Sequence, residues 1–81
     1  MSRLDPRSLV AAALECDPAS LTETSALARH PKWDSFAQLR IMIQLEENYG
    51  VEINDANIRR FETFTAIEAF HAALVAEDAG R

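Results

Sequence analysis

Cysteine, glycine and basic residues are scarce in this 81-residue chain, and each shortage removes a class of protein. The single cysteine, Cys16, cannot close an internal disulfide, and with only His30 and His71 beside it the chain falls short of a structural zinc set. Two glycines and three prolines are too few for a turn-rich β fold. Eight basic residues against thirteen acidic ones leave a formal charge of -5, a field that repels nucleic-acid phosphates and anionic membranes and attracts basic partner surfaces. No nucleic-acid ligand is expected. No stretch approaches the ~20 apolar residues of a membrane span, and the first residues lack the apolar run of a signal peptide. The expectation is a soluble, unprocessed protein of the reducing cytoplasm, with a monomer as the default state.

What is present favours helices. Hydrophobic residues make up 48% of the chain, which argues against disorder, and Ala, Leu and Glu are abundant. The length has room for one domain with a modest core, spanning 1–81 with its packed part over about 5–77 and a frayed tail at 78–81. Asp5-Pro6 reads as a helix start, with Leu9, Ala12, Ala13 and Cys16 recurring at helical spacing, so a first helix is expected over 5–16. Asp17-Pro18 stops it. Residues 17–34 read as a long ordered loop held across the bundle by Leu21, Ala26 and Leu27.

A second helix is expected from Asp34-Ser35 to Tyr49, closed by Gly50 in the left-handed conformation. Its stripe Leu39, Met42, Leu45 and Tyr49 is assigned to the core, and the stripe Phe36, Arg40, Ile43 and Glu47 to the outside. Val51 and Ile53 then anchor an extended connection. Asp55 is expected to cap a short third helix through Ile58 to Phe61, and Thr65-Ala-Ile-Glu68 reads as a capping box opening a fourth helix to about Glu77. The resulting fold class is all-α, a four-helix bundle of three longer helices and one short one. Its expected core is Leu9, Leu39, Met42, Leu45, Tyr49, Ile53, Ile67, Phe70 and Leu74.

The segment Trp33-Asp34-Ser35-Phe36, followed by a helix ending in Leu45-Glu-Glu-Asn-Tyr-Gly-Val-Glu-Ile53 and later by Thr63-Phe-Thr-Ala-Ile67, resembles the acyl carrier protein family. The resemblance covers roughly residues 5–76. It implies that Ser35 receives a 4'-phosphopantetheine arm from coenzyme A, transferred by a separate Mg²⁺-dependent phosphopantetheinyl transferase. The arm's thiol would carry an acyl-type cargo as a thioester, loaded by an acyl or aminoacyl ligase and passed to downstream transferases, as in lipid or polyketide biosynthesis. The chain is then a carrier and not an enzyme. Ala37-Gln38 and Arg40 depart from the family, where acidic residues are frequent at these places.

The residues support the same serine on their own. With Asp34 as cap, its carboxylate takes free backbone N–H groups, and Ser35 at the first helical position keeps its hydroxyl available. A phosphodiester there would sit at the positive end of the helix dipole. The face carrying Phe36, Arg40, Ile43, Glu46 and Glu47 is the candidate partner-docking surface. A hydrolase built from Ser35, His71 and Asp34 is disfavoured, because adjacent Asp and Ser leave no place for an imidazole between them and no Gly-x-Ser-x-Gly elbow exists. Trp33 is expected to shield the approach to Ser35, His30 to be a loop residue, and Cys16 to pack as a small hydrophobe. Two other readings stand beside the acyl carrier. One is an aminoacyl or peptidyl carrier of the same fold, although the Gly-Gly frequent before the peptidyl-carrier serine is missing. The other is a non-covalent helical interaction module using Phe36, Ile43 and the acidic face.

Overall fold

The computed structural model describes residues 4–79. Asp5 begins the first helix, α1 (Pro6–Leu14), by accepting the Ser8 backbone N–H, and Pro6 fills a first-turn position where no N–H is needed. The helix stops two residues before Cys16 because Glu15 turns left-handed, at φ 54°, and returns its N–H to the carbonyls of Ala11 and Ala12. Cys16 lies just beyond, half-buried against the core.

The second helix, α2 (Ser35–Tyr49), runs antiparallel to α1. Two bonds fix that pairing: the Tyr49 hydroxyl donates to the Leu4 carbonyl at 2.7 Å, and Arg40 Nε donates to the Ala13 carbonyl at 2.7 Å. Gly50 closes α2 at φ 72°, as expected, because its N–H must turn back to the carbonyls of Leu45 and Glu46. The third helix, α3 (Asp55–Arg60), is capped by Asn54 and not by Asp55: the Asn54 side chain accepts the Asn57 N–H at 2.8 Å. The fourth, α4 (Phe64–Ala79), starts before the expected box, with Thr63 Oγ1 accepting the Ala66 N–H at 3.2 Å. It continues past Glu77 to Ala79, while residues 80 and 81 of the expected frayed tail lie outside the described residues.

The long connection from 15 to 34 is pinned as its apolar residues suggested. It holds a short 3₁₀ turn, Pro18–Ser20, and a buried Leu21. Arg7 on α1 donates to the carbonyls of Pro18 at 2.7 Å and Leu21 at 2.6 Å, while its guanidinium lies 5.4 Å from the centre of the Phe64 ring. Further on, Ala26 pairs antiparallel with Thr63: Leu27 N–H donates to the Glu62 carbonyl and Phe64 N–H to the Ser25 carbonyl. This single bridge is the only β pairing among the described residues, so the architecture is all-α.

The core differs in part from the expected set. Leu9, Met42, Leu45, Tyr49 and Ile67 are buried, and Phe70 and Leu74 pack half-buried against them. Leu39 is 49% exposed and Ile53 40% exposed, so both leave the predicted core. In α2 the inward stripe is centred about 50° from the one expected, on Ala37, Gln38, Ile41, Met42, Leu45 and Tyr49, which carries Leu39 to the surface. Ile53 stays out because the chain turns at once into α3, with Asn54 as cap and Asn57 Nδ2 donating to the Glu52 carbonyl. Aromatic residues close the base of the bundle. Phe70 meets Phe61 edge-on at 5.4 Å and lies 6.3 Å from Tyr49, with Arg60 over the Phe61 and Phe70 rings. None of the helices among the described residues is long and apolar enough to cross a membrane.

Replacing Arg7 by Met keeps the aliphatic stem and removes two charge-assisted bonds to the loop. Urea denaturation should show a loss of about 1–2 kcal/mol, and amide exchange over residues 21–28 should quicken. The α1 cap makes a second prediction. Hydrogen bonds from the Ser8 side chain and backbone hold the Asp5 carboxyl below its ordinary value of 3.8. A depressed folded value means that the cap contributes stability above the ordinary value and loses it as pH falls through the lower one. Thermal melts from pH about 6 to about 2 should therefore show part of the acid loss missing in Asp5→Asn.

Candidate functional site

Ser35 owes its position to the turn that precedes it. Ala28 sits at φ 69°, a left-handed conformation costly for a residue with a Cβ, and two bonds hold the turn closed. Ala28 N–H donates to the Trp33 carbonyl and Trp33 N–H to the His30 carbonyl. His30, a loop residue as expected, ties this turn to the 3₁₀ segment. Its Nδ1 accepts the Lys32 backbone N–H, which leaves the ring proton on Nε2, facing Ser20 Oγ at 3.0 Å. Ser20 Oγ in turn donates to the Asp17 carbonyl.

Trp33 then turns inward. It is 1% exposed, and its Nε1–H donates at 2.7 Å to Gln38 Oε1, one turn into α2. The expectation that Trp33 shields Ser35 is thus corrected: the ring belongs to the core and lines the groove beside the serine from within. Its indole N–H explains the direction, because a buried donor needs a partner and Gln38 supplies one inside.

Asp34 caps α2 in the predicted way, with Oδ1 accepting the Ala37 N–H at 2.8 Å. Ser35 follows as the first helical residue, exposed, and no hydrogen bond engages its hydroxyl among the described residues. The backbone N–H groups of Ser35 and Phe36 likewise meet no acceptor there. An unhindered nucleophilic oxygen therefore lies beside two free donors at the positive end of a 15-residue helix, a setting that suits an esterified phosphate.

Two surface grooves meet at this serine. One, of about 490 Å³, is lined by the turn from Leu27 to Pro31 together with Trp33 and Asp34. The other, of about 250 Å³, is lined by Leu27, Gln38, Leu39, Ile58 and Glu62 and runs toward α3. The first depends on how the 27–35 turn folds back on itself, and the second joins residues distant in the chain, so neither follows from spacing.

Below Ser35 the outer face of α2 carries Phe36 at 75%, Leu39 at 49% and Ile43 at 46% exposure, with Glu46 and Glu47 exposed toward its end. The apolar strip is therefore wider than Phe36 and Ile43 alone. Arg40 lies on the same face, but its Nε is committed to the Ala13 carbonyl, where a cation complements the negative end of α1. Its guanidinium is oriented by the bundle. His71 is not brought to Ser35: it lies against the Tyr49 ring at 5.4 Å, fourteen residues along α2 and so about 21 Å away. The disfavoured Ser35–His71–Asp34 arrangement has no geometric basis. Comparison with models of known protein families gives no match, and comparison with curated proteins gives none.

Asp34→Ala should cost about 1 kcal/mol through loss of the cap, while Asp34→Asn, which retains an acceptor oxygen, should cost little. Chemical denaturation of the three proteins checks this, and faster amide exchange at Ala37 should accompany only the alanine variant.

Proposed function

We propose that this chain is a carrier of the acyl carrier protein type, in which Ser35 holds a 4'-phosphopantetheine arm and presents a thioester cargo to partner enzymes. The observation that carries this reading is the unengaged Ser35 hydroxyl, set beside a capping aspartate and two open backbone donors at the start of a helix whose outer face exposes Phe36, Leu39 and Ile43. The likeness of Trp33–Phe36 and Leu45–Ile53 to the family pattern supports it. Among the described residues no side chain hydrogen-bonds the Ser35 hydroxyl, with Asp34 engaged as the helix cap and His30 in its own turn, so activation falls to a separate phosphopantetheinyl transferase. In that transfer Ser35 Oγ forms a bond to the pantetheine-side phosphorus of coenzyme A. The bond to adenosine 3',5'-bisphosphate breaks with its electron pair, and the hydroxyl proton passes to the transferase.

The bound arm supplies a thiol for thioester chemistry. This chain's own residues do the rest: the Ser35 and Phe36 amides offer hydrogen bonds to the phosphodiester, Asp34 keeps the helix start in place, and Phe36, Leu39 and Ile43 offer an apolar seat to partners. Tethering the cargo gives it an effective concentration on the order of millimolar at any enzyme docked on the same molecule. The protein itself catalyses nothing in this scheme. Cargo of aminoacyl or peptidyl type fits the same attachment.

One observation favours a second reading. Phe36 is three-quarters exposed, more than partner-free surfaces usually show for an aromatic, and a helical interaction module with no modification would use the same strip.

Intact-protein mass after incubation with coenzyme A, Mg²⁺ and a broad-specificity phosphopantetheinyl transferase separates the two. The carrier gains one phosphopantetheinyl group, and Ser35→Ala abolishes the gain. A folded protein left unmodified by several transferases would give the site to non-covalent docking.

A further inference from the structure

The side-chain amide of Gln38 occupies the space between α2, α3 and the Trp33 turn. It is 3% exposed, and all its bonds point inward: Oε1 accepts the Trp33 indole N–H at 2.7 Å, and Nε2 donates to the carbonyls of Ile58 at 2.9 Å and Phe61 at 3.0 Å. Those carbonyls belong to the end of α3, where no further helical N–H follows, so the amide closes α3 from across the bundle. Every buried side-chain polar atom among the described residues is satisfied. On its outer side the same residue floors the groove of about 250 Å³ that begins at Ser35, with Leu39 and Ile58 as walls. On its inner side stand Trp33 and Phe61, 1% and 0% exposed.

We infer that Gln38 acts as a bolt that bars the interior to cargo, so that an acyl group on the arm stays outside the core whatever its length. The inference rests on the carrier reading above. A long chain entering between α2 and α3 would have to displace the amide and leave an indole N–H, two carbonyls and the amide itself without partners in an apolar setting. Gln38 thereby keeps cargo on the outside of the bundle.

The test compares the carrier loaded with butyryl- and dodecanoyl-phosphopantetheine from the corresponding coenzyme A esters. Three readings are made: intact mass, cleavage of the thioester by hydroxylamine, and the NMR signal of the Trp33 indole N–H. The wild type should release both chains at rates equal within about twofold, with an indole signal that does not move between them. Gln38→Ala should slow release of the dodecanoyl chain alone, by about fivefold or more, an amount equivalent to ~1 kcal/mol. Protection of the dodecanoyl thioester in the wild type, or a displaced indole signal, would overturn the bolt and leave the carrier reading standing. Failure to gain either acyl arm would overturn both. The wild-type comparison decides the matter even where the alanine variant does not fold.

Discussion

The hydrogen bond from the Trp33 indole to Gln38 sets the terms for most of this small bundle. A tryptophan buried to 1% exposure must place its N–H against an acceptor, and the acceptor chosen lies five residues ahead, inside the next helix. With position 38 held inward, the rotation of α2 follows: Ile41 and Leu45 enter the core, while Phe36, Leu39 and Ile43 face out. The same amide reaches the last carbonyls of α3, so a loop, a long helix and a short helix share one buried polar junction. An 81-residue chain has little apolar area to spare, and a fully satisfied junction of this kind specifies one arrangement where greasy contacts alone would tolerate several.

Most elements were readable from local chemistry because their signals are local. Asp5-Pro6, Asp34 and Gly50 each act within a turn of their own position, and each does in the structure what its residue type dictates. The errors arose where partners are distant. Leu39 looked like core on periodicity, yet Gln38 takes the inward place because of Trp33, a preference invisible to a hydrophobic count. The caps of α3 and α4 fell on Asn54 and Thr63, where Asp55 and Thr65 had been expected, because several capping residues sit close together and only the tertiary path selects among them. At the candidate site, Asp34 and Ser35 were identifiable as neighbours in the chain. The groove toward α3 requires Leu27, Ile58 and Glu62 to converge, which no spacing encodes, and the other depends on the closed turn held by Ala28 and Trp33.

The face around Ser35 is also graded in charge. Arg29, His30 and Lys32 precede the serine, an apolar strip follows it, and Glu46 and Glu47 lie about 17 Å farther along α2. A net charge of -5 conceals this order. A complementary surface would set its basic residues against the far end of the helix and leave the surroundings of Ser35 to apolar contact, so that orientation and attraction come from different parts of the strip.

The bonds that join Leu4 to Asn48 and Tyr49 place the beginning of α1 beside the end of α2. Since α2 is 15 residues long, any polypeptide arriving at Leu4 does so roughly 22 Å from Ser35, at the opposite pole. A neighbouring domain, an anchoring surface or a label attached on that side would therefore hold the molecule by its base. The hemisphere around Ser35 stays open, and such a bundle can be immobilised or fused at its base without covering the serine.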